Sequence, residues 1–476
     1  MSTPNAAYSV RLQVELDNKP GAFALVASAV GGAGGVLGAV DIVGSTAERM
    51  TRQITVDASD EAHAQRICDA VRRLDSVILH EADDRTMQLH QGGKIEVNSK
   101  IPKLTREELS MAYTPGVARV CRKIAEDPSQ VRRLTIKANT VAIVSDGTAV
   151  LGLGDIGPEA AIPVMEGKAL LFKEFAGIDA FPICLHIDPP TDGGDPGVDQ
   201  IVDIVARMEP VFGGINLEDI AAPRCFEVEA KLRERLDIPV FHDDQHGTAV
   251  VALAALRNAL TVVGKRIDDV RIVMAGAGAA GVAIAKILLA SGASQLIACD
   301  RKGAIHLGRE GLDPSKQWLA EHTNSDKEDG SLRDVLAGAD VFIGVSGPNL
   351  LTQSDLVTMA EQPIVFALAN PDPEVAPSEA LGVAAVYATG RSDYPNQINN
   401  VLCYPGIFRG ALDCGATTVT ENMKLAAAEA IAGAVPADEV SAEYVIPSVF
   451  NKDVVRRVAE AVARAAVADG VARSDR

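Results

Sequence analysis

One segment constrains the fold of this chain more than any other: an aliphatic run at 270–275, then Gly276-Ala277-Gly278-Ala279-Ala280-Gly281, then an alanine-rich stretch to residue 290. A run of strand length meets a Gly-x-Gly-x-x-Gly turn that opens directly into a predicted helix. The glycines permit a tight turn and let a pyrophosphate approach the helix N-terminus, where unpaired N–H groups and the helix dipole favour an anion. The next predicted strand, 295–299, ends in Asp300, at about the distance expected for the acid that accepts from a ribose diol. Such an acid repels a 2′-phosphate and favours NAD. Arg301 and Lys302 follow at once and could bind that phosphate, so NADP stays open as the alternative. A glycine turn with a purely structural role is the plain reading of the same residues.

At 476 residues the chain has room for about three domains. Hydrophobic residues make up 47% but aromatics only 4%, so the cores are aliphatic, as suits helices packed on parallel sheets. A net charge of −19 argues against nucleic acid and anionic lipid as partners. The seven cysteines are scattered without a Cys-x-x-Cys pair, which predicts reduced thiols in a cytoplasmic protein. No basic-then-apolar leader is evident, and no apolar run reaches the ~18 residues of a membrane span. The richest, 247–256, stops at Arg257.

The first 89 residues read as a small module. Strands are predicted at 8–16, 36–43, 49–56 and 76–81, with helices at 22–30 and 60–74. The order βαββαβ is the ferredoxin-like pattern. Residues 85–100 read as a linker. A mixed region, 90–246, then holds a buried strand at 141–144, a glycine-rich loop at 151–157 and a helix at 165–175. A Pro/Gly/Asp-rich surface loop follows at 185–197, and strands end at Glu218-Asp219 and at Asp243-Asp244. From 247 to 476 the pattern is a doubly wound sheet with C-terminal helices.

Strand ends in α/β folds aim side chains into the crevice where ligands bind. Glu218, Asp219 and Asp244 are therefore candidates for a hard divalent metal, since gathered carboxylates repel one another without a cation. Helix capping by loop acids is the plain alternative in a chain with 64 acidic residues. His242 and His246 flank the acidic pair, but the residues between them lack the glutamate of a zinc-protease motif. His242 is read as structural and His246 as a cap or a support for the ligands.

Several runs together resemble the malic enzymes. Tyr113-Thr114-Pro115-Gly116-Val117-Ala118 is similar to their tyrosine motif, and Leu151-Gly152-Leu153-Gly154-Asp155 through Pro163-Val164-Met165-Glu166-Gly167-Lys168 to their lysine region. Asn216-Leu217-Glu218-Asp219-Ile220, Asp243-Asp244, Ala369-Asn370-Pro371 and Asn399-Asn400-Val401 follow in family order. The resemblance spans about residues 90–450 and is to the short bacterial branch. Asp17-x-x-Pro20-Gly21-x-x-x-x-Val26 in the first module resembles ACT domains, which sense small molecules or dimerise by sheet pairing.

The resemblance implies a fold and a reaction. The fold is a Rossmann-type NAD-binding domain (247–476) with an α/β malic-enzyme N-terminal domain (90–246), preceded by an ACT-like domain (1–89). The reaction is the oxidative decarboxylation of (S)-malate, with NAD and Mg²⁺ or Mn²⁺. Lys168 would be general base at the C2 hydroxyl, with its pKa depressed by desolvation and a neighbouring cation. Asp243 would hold Lys168, and Glu218, Asp219 and Asp244 would bind the metal. Tyr113 would protonate C3, and Asn370 with Asn399 or Asn400 would bind the substrate carboxylate or the nicotinamide. A homodimer or larger homo-oligomer, with a possible small-molecule effector at the ACT-like module, is the expected assembly. One departure stands out: larger family members carry an arginine where this chain has Ala149, leaving the carboxylate anchor unassigned. A sensing protein that kept the fold and lost catalysis is the rival from another class.

Overall fold

A computed structural model describes residues 3–150, 152–188 and 197–473. Leu151 and most of the predicted 185–197 loop therefore lie outside the described residues. The chain divides into two compact units, Met1–Asn98 and Ser99–Arg476.

In the first unit, strands β1 (Asn5–Asp17), β2 (Val36–Ser45), β3 (Arg49–Ala58) and β4 (Val77–Asp84) form an antiparallel sheet in the order β2-β3-β1-β4. Alternation explains it: Val10, Leu12, Val14 and Leu16 of β1 are buried, and Leu12 pairs with Ile54 of β3. Helices Ala22–Gly32 and Glu61–Arg72 supply Val26, Val30, Ile67 and Val71 to the same core. The second helix starts where its cap dictates, with Asp60 accepting from the His63 amide. The ferredoxin-like order is thus as read from the sequence. The predicted linker, in contrast, begins as a helix, Arg85–His90, capped by Asp84, and the compact unit extends to Asn98.

The second unit has two sheets. The smaller is parallel, in the order β6-β5-β7-β8, from β5 (Thr140–Ser145), β6 (Asp179–Cys184), β7 (Gly214–Leu217) and β8 (Val240–His242). Every residue of β5 is buried, because helices cover both faces. The larger comprises β9 (Arg271–Ala275), β10 (Gln295–Asp300), β11 (Gly303–Ala304), β12 (Val341–Gly344), β13 (Ile364–Ala367) and β14 (Val386–Thr389). Its order is β11-β10-β9-β12-β13-β14, and only β11 runs antiparallel to its neighbour. The direction of winding reverses between β9 and β12, which is where ligands bind in such sheets.

Helix Thr248–Val263 joins the two halves and is the central core helix, with Val250, Leu253 and Leu256 fully enclosed. With the turn before it, Asp243–Val263 is long and apolar enough to cross a membrane by length and composition, but 61% of that window is buried inside the unit. Its hydrophobicity is that of a core helix. Helices Tyr404–Asp413, Glu421–Ala432 and Lys452–Ala468 close the unit. Cys68, Cys225, Cys299 and Cys403 are buried, and burial pushes the Cys225 and Cys299 thiols up to about 12; Cys121 is exposed.

Candidate active site

Parallel strands bring their C-terminal ends to one edge, and here the ends of β7 and β8 carry the acids. β7 leads into Glu218-Asp219 and β8 into Asp243-Asp244, with Leu217 paired to His242. Asp219 adopts φ 54°, a left-handed conformation that short polar side chains tolerate, and its backbone N–H donates to Asp244 Oδ2 at 2.8 Å. Glu218, Asp219 and Asp244 each present one carboxylate oxygen, all within 4.8 Å of one another.

The cluster is unbalanced as a set of bare charges. Glu218 and Asp219 are 6% and 5% exposed, and Asp219 Oδ2 is buried without a hydrogen-bond partner. Burial pushes the Glu218 carboxyl well above its ordinary value, against the pull of Lys168, and neighbouring carboxylates push it further. Burial and Asp244 raise Asp219 to about 7. Three convergent carboxylates, of which Asp219 keeps a buried oxygen without a partner, fit a hard divalent cation.

Lys168 lies in the middle of helix Pro158–Ala176, not near its start as the sequence reading placed it. Pro163 resembles a helix boundary in sequence, yet the helix runs through it from Pro158. The Lys168 ammonium donates to Asp243 Oδ2 at 2.5 Å and is also paired with Glu218, a contact the sequence did not reveal. Desolvation alone would lower its pKa. The attraction of Asp243 and Glu218 outweighs that and holds it well above the ordinary lysine value. The depressed pKa expected of a free base is thus reversed here, with Asp243 the stronger of the two attractions.

Asp243 is gripped from several sides. Asn400 Nδ2 reaches its Oδ2 at 3.2 Å and Thr248 Oγ1 at 3.1 Å. A Cβ on Gly247 would sit 1.9 Å from Asp243 Oδ1, so only glycine fits in the Asp243–Gly247 turn. Asn400 therefore holds the lysine's partner, while Asn399 accepts from the Val401 amide at 3.0 Å. The Asn370 side chain lies against Gly390, where a Cβ would stand 2.7 Å from its Nδ2, and its carbonyl abuts Gly152. His242 is fully buried, which lowers its pKa, and lies 3.5 Å from Asp244, whereas His246 pairs with Glu229 at 2.9 Å. Neither ring nitrogen of His242 has a hydrogen-bond partner among the described residues.

Tyr404 was missed. Its ring lies beneath Lys168, with Nζ 4.5 Å from the centroid, and its hydroxyl is buried without a partner. The signal was the continuation of the asparagine motif through Leu402 and Cys403 to Tyr404. Tyr113, by contrast, is 68% exposed at the end of helix Arg106–Ala112 and makes no hydrogen bond to the Lys168 cluster among the described residues.

The dinucleotide loop lies at the switch point. Gly276 has φ 119°, and a Cβ there would meet the Val345 carbonyl at 2.5 Å; one on Gly281 would meet the Gly276 carbonyl at 2.0 Å. Gly278 faces open space, as close approach of a pyrophosphate requires. Ala277, Ala279 and Ala280 complete the turn into helix Ala279–Ala290. Asp300 ends β10 and lines a cavity of about 380 Å³ with Gly276, Arg301, Lys302, Arg333 and Ser346. Its carboxylate is not free as the sequence implied: both oxygens accept from Arg309 Nη2 at 3.0 Å, and Lys316 stands at 3.3 Å.

Residues 92–233 match the malic enzyme N-terminal domain, residues 245–467 the malic enzyme NAD-binding domain and residues 4–79 the ACT domain. The chain belongs to the malic enzyme family. It is 57% identical over 470 residues to an NAD-dependent malic enzyme of Geobacillus stearothermophilus, covering 99% of this chain and 97% of that one. A bifunctional malic/malolactic enzyme of Bacillus subtilis is 54% identical, over 82% of this chain and 94% of its own. The crystal structure of malic enzyme from Pyrococcus horikoshii superposes with a TM-score of 0.76 at 50% identity, covering 81% of this chain and 89% of that one. As a malic enzyme, the chain places its lysine, acids and glycine loop in one unit, with the ACT domain in the other.

Proposed function

We propose that this malic enzyme converts (S)-malate and NAD⁺ to pyruvate, CO₂ and NADH, with Mg²⁺ or Mn²⁺ held by Glu218, Asp219 and Asp244. The observation that carries this reading is the Lys168 ammonium set between Asp243 and Glu218, one carboxylate away from the convergent oxygens of Asp219 and Asp244. A divalent cation there supplies a Lewis acid for the hydroxy-acid oxygens. Lys168, once deprotonated, takes the C2 hydroxyl proton as hydride passes from C2 to the nicotinamide. Loss of CO₂ from the resulting oxo acid leaves enolpyruvate, which takes a proton at C3 from Tyr113. Asp243, fixed by Asn400, keeps the amine on its path throughout. Asn370 would meet a substrate carboxylate or the nicotinamide end.

NADP is the second reading, because Arg309 and Lys316 already neutralise Asp300 and Arg301, Lys302 and Arg333 line its cavity. Malate-dependent reduction measured with each cofactor, with Mn²⁺ present, tests both. No reduction of either would leave a sensing protein on an enzyme fold.

Tyr113 supports an oligomer. Helices Arg106–Ala112 and Val117–Glu126 bury none of their residues, and Leu109 and Met111 of the first, with Leu104 just before it, are exposed. An apolar stretch of this kind calls for a cover. A second copy of the chain, receiving Tyr113 into its own Lys168 cluster, supplies one. The ACT domain would take a small-molecule effector, and the enzyme would work in the cytoplasm.

A further inference from the structure

Behind the turn that carries Asp244 lies a second polar cavity, of about 200 Å³. Gln245 and His246 of the turn line it, with Glu229 and Arg233 of helix Arg224–Arg235, Lys286 of the glycine-loop helix and Lys424 of helix Glu421–Ala432. None of these side chains takes part in the chemistry above.

Some of the charges are already matched. Glu229 is committed to His246, whose Nε2 lies 2.9 Å from each of its oxygens. Lys424 spans from His246 Nδ1, at 3.2 Å, to Glu421, at 2.5 Å. Two cations have no carboxylate partner among the described residues. Arg233 donates to the Val419 carbonyl at 3.0 Å, and the Lys286 ammonium rests 5.0 Å from the centre of the Trp318 ring. A third observation is independent of charge. Gln245 is 4% exposed and its amide nitrogen is buried with no hydrogen-bond partner. Buried donors without acceptors are rare in folded proteins unless something else supplies the acceptor.

We propose that this cavity is a binding site for a small tetrahedral oxyanion, of sulfate or phosphate size, held by Arg233, Lys286 and the Gln245 amide. Two unmatched cations and one unmatched N–H are complementary to such a group, which offers several acceptor oxygens and a double negative charge. The site has a route to the chemistry. Gln245 is the residue after Asp244, and Lys286 lies on the helix that follows the dinucleotide loop. An occupant therefore touches the metal-bearing turn and the cofactor helix together. Its binding stands apart from the malate reading and is tested separately from it.

The test is a calorimetric titration of the full chain with sulfate at constant ionic strength, with NAD⁺ and Mn²⁺ saturating so that the dinucleotide loop is already filled. Wild-type protein is expected to bind sulfate saturably. Lys286→Gln, an exposed and tolerant position, and the double variant Arg233→Ala/Lys286→Ala are expected to weaken binding at least tenfold. Basal kcat without sulfate should stay unchanged in both. No saturable binding to the wild type, or unchanged affinity in Lys286→Gln, overturns the site. Saturating sulfate is also expected to shift the half-saturating Mn²⁺ concentration at least twofold in the wild type alone. Unchanged Mn²⁺ saturation overturns the coupling.

Discussion

Lys168 donates to Asp243 across 2.5 Å, although 75 residues separate them in the chain. The pair is enclosed: Asp243 is 1% exposed and Lys168 lies over the Tyr404 ring. A buried ion pair of this kind is costly to break from one side, because the survivor is left uncompensated.

Lys168→Ala should therefore do two things. It should lower kcat for malate oxidation by on the order of 10²- to 10⁴-fold, the range for a lost general base. It should also destabilise the metal-free protein by roughly 3–5 kcal/mol through the stranded Asp243 and Glu218. NAD⁺ affinity, measured by fluorescence titration, should be unchanged, since the glycine loop makes no use of Lys168. Near-wild-type turnover would remove Lys168 from the mechanism.

Metal affinity should depend on pH in a defined sense. Asp219 is raised to about 7 in the folded protein, so below that pH a proton competes with the cation. Apparent Mn²⁺ affinity should rise by at least about tenfold per pH unit below 7, for the proton that Asp219 releases. The linked stability runs the other way. The folded state holds this proton more tightly than the unfolded state, so the metal-free protein loses stability from this group as pH rises from about 4 through 7. Tm measured across that range, with and without Mn²⁺, should show the loss only in the metal-free series.

Asp300→Ala should change cofactor choice. Removing the carboxylate takes from Arg309 and Lys316 the acid they share, and removes a negative charge from a cavity that Arg301, Lys302 and Arg333 line and that a 2′-phosphate would enter. The ratio of kcat/KM for NAD⁺ over NADP⁺ should fall by about tenfold or more, the equivalent of ~1.4 kcal/mol. An unchanged ratio would place the determinant elsewhere.

Tyr404 separates ring from hydroxyl. Tyr404→Phe keeps the face beneath Lys168 and removes a buried hydroxyl that has no partner, so stability should hold or rise. Tyr404→Ala should cost roughly 3–5 kcal/mol, as for other buried aromatics, because Phe172, packed edge-on against it at 4.8 Å, loses a neighbour in the core cluster. Thermal unfolding of the two variants settles which part of the side chain matters.

Tyr113 and Lys168 should complement in trans. Lys168→Ala and Tyr113→Phe are each expected to be inactive, and co-refolding the two should restore malate turnover if a second copy supplies the tyrosine. A mixture no more active than its parts would mean that each chain completes its own site.

The elements that were legible in the sequence are those written in local code. Alternation in β1 and the glycine loop each act over a few residues, and each stands where the pattern put it. The acids at the strand ends were legible as well, because parallel strands deliver their C-termini to one edge. What lay beyond reach were pairings made only by packing. Glu218 meets Lys168 across fifty residues, and Tyr404 arrives from a helix far downstream. The ion pairs around Asp300 are of this kind too, since Arg309 and Lys316 reach it from beyond the β11 hairpin. The helix predicted at 165–175 begins earlier, at Pro158, and runs through Pro163, which supplies no helical N–H.

The exposed thiol of Cys121 offers an experimental handle. It lies on helix Val117–Glu126, beside the uncovered apolar stretch, while the thiols near the reacting groups are sealed in the core. An alkylating dye should therefore mark this one helix first and leave the site chemistry intact. Its emission would then follow assembly in real time, and the speed of labelling would report how much of the population stands alone.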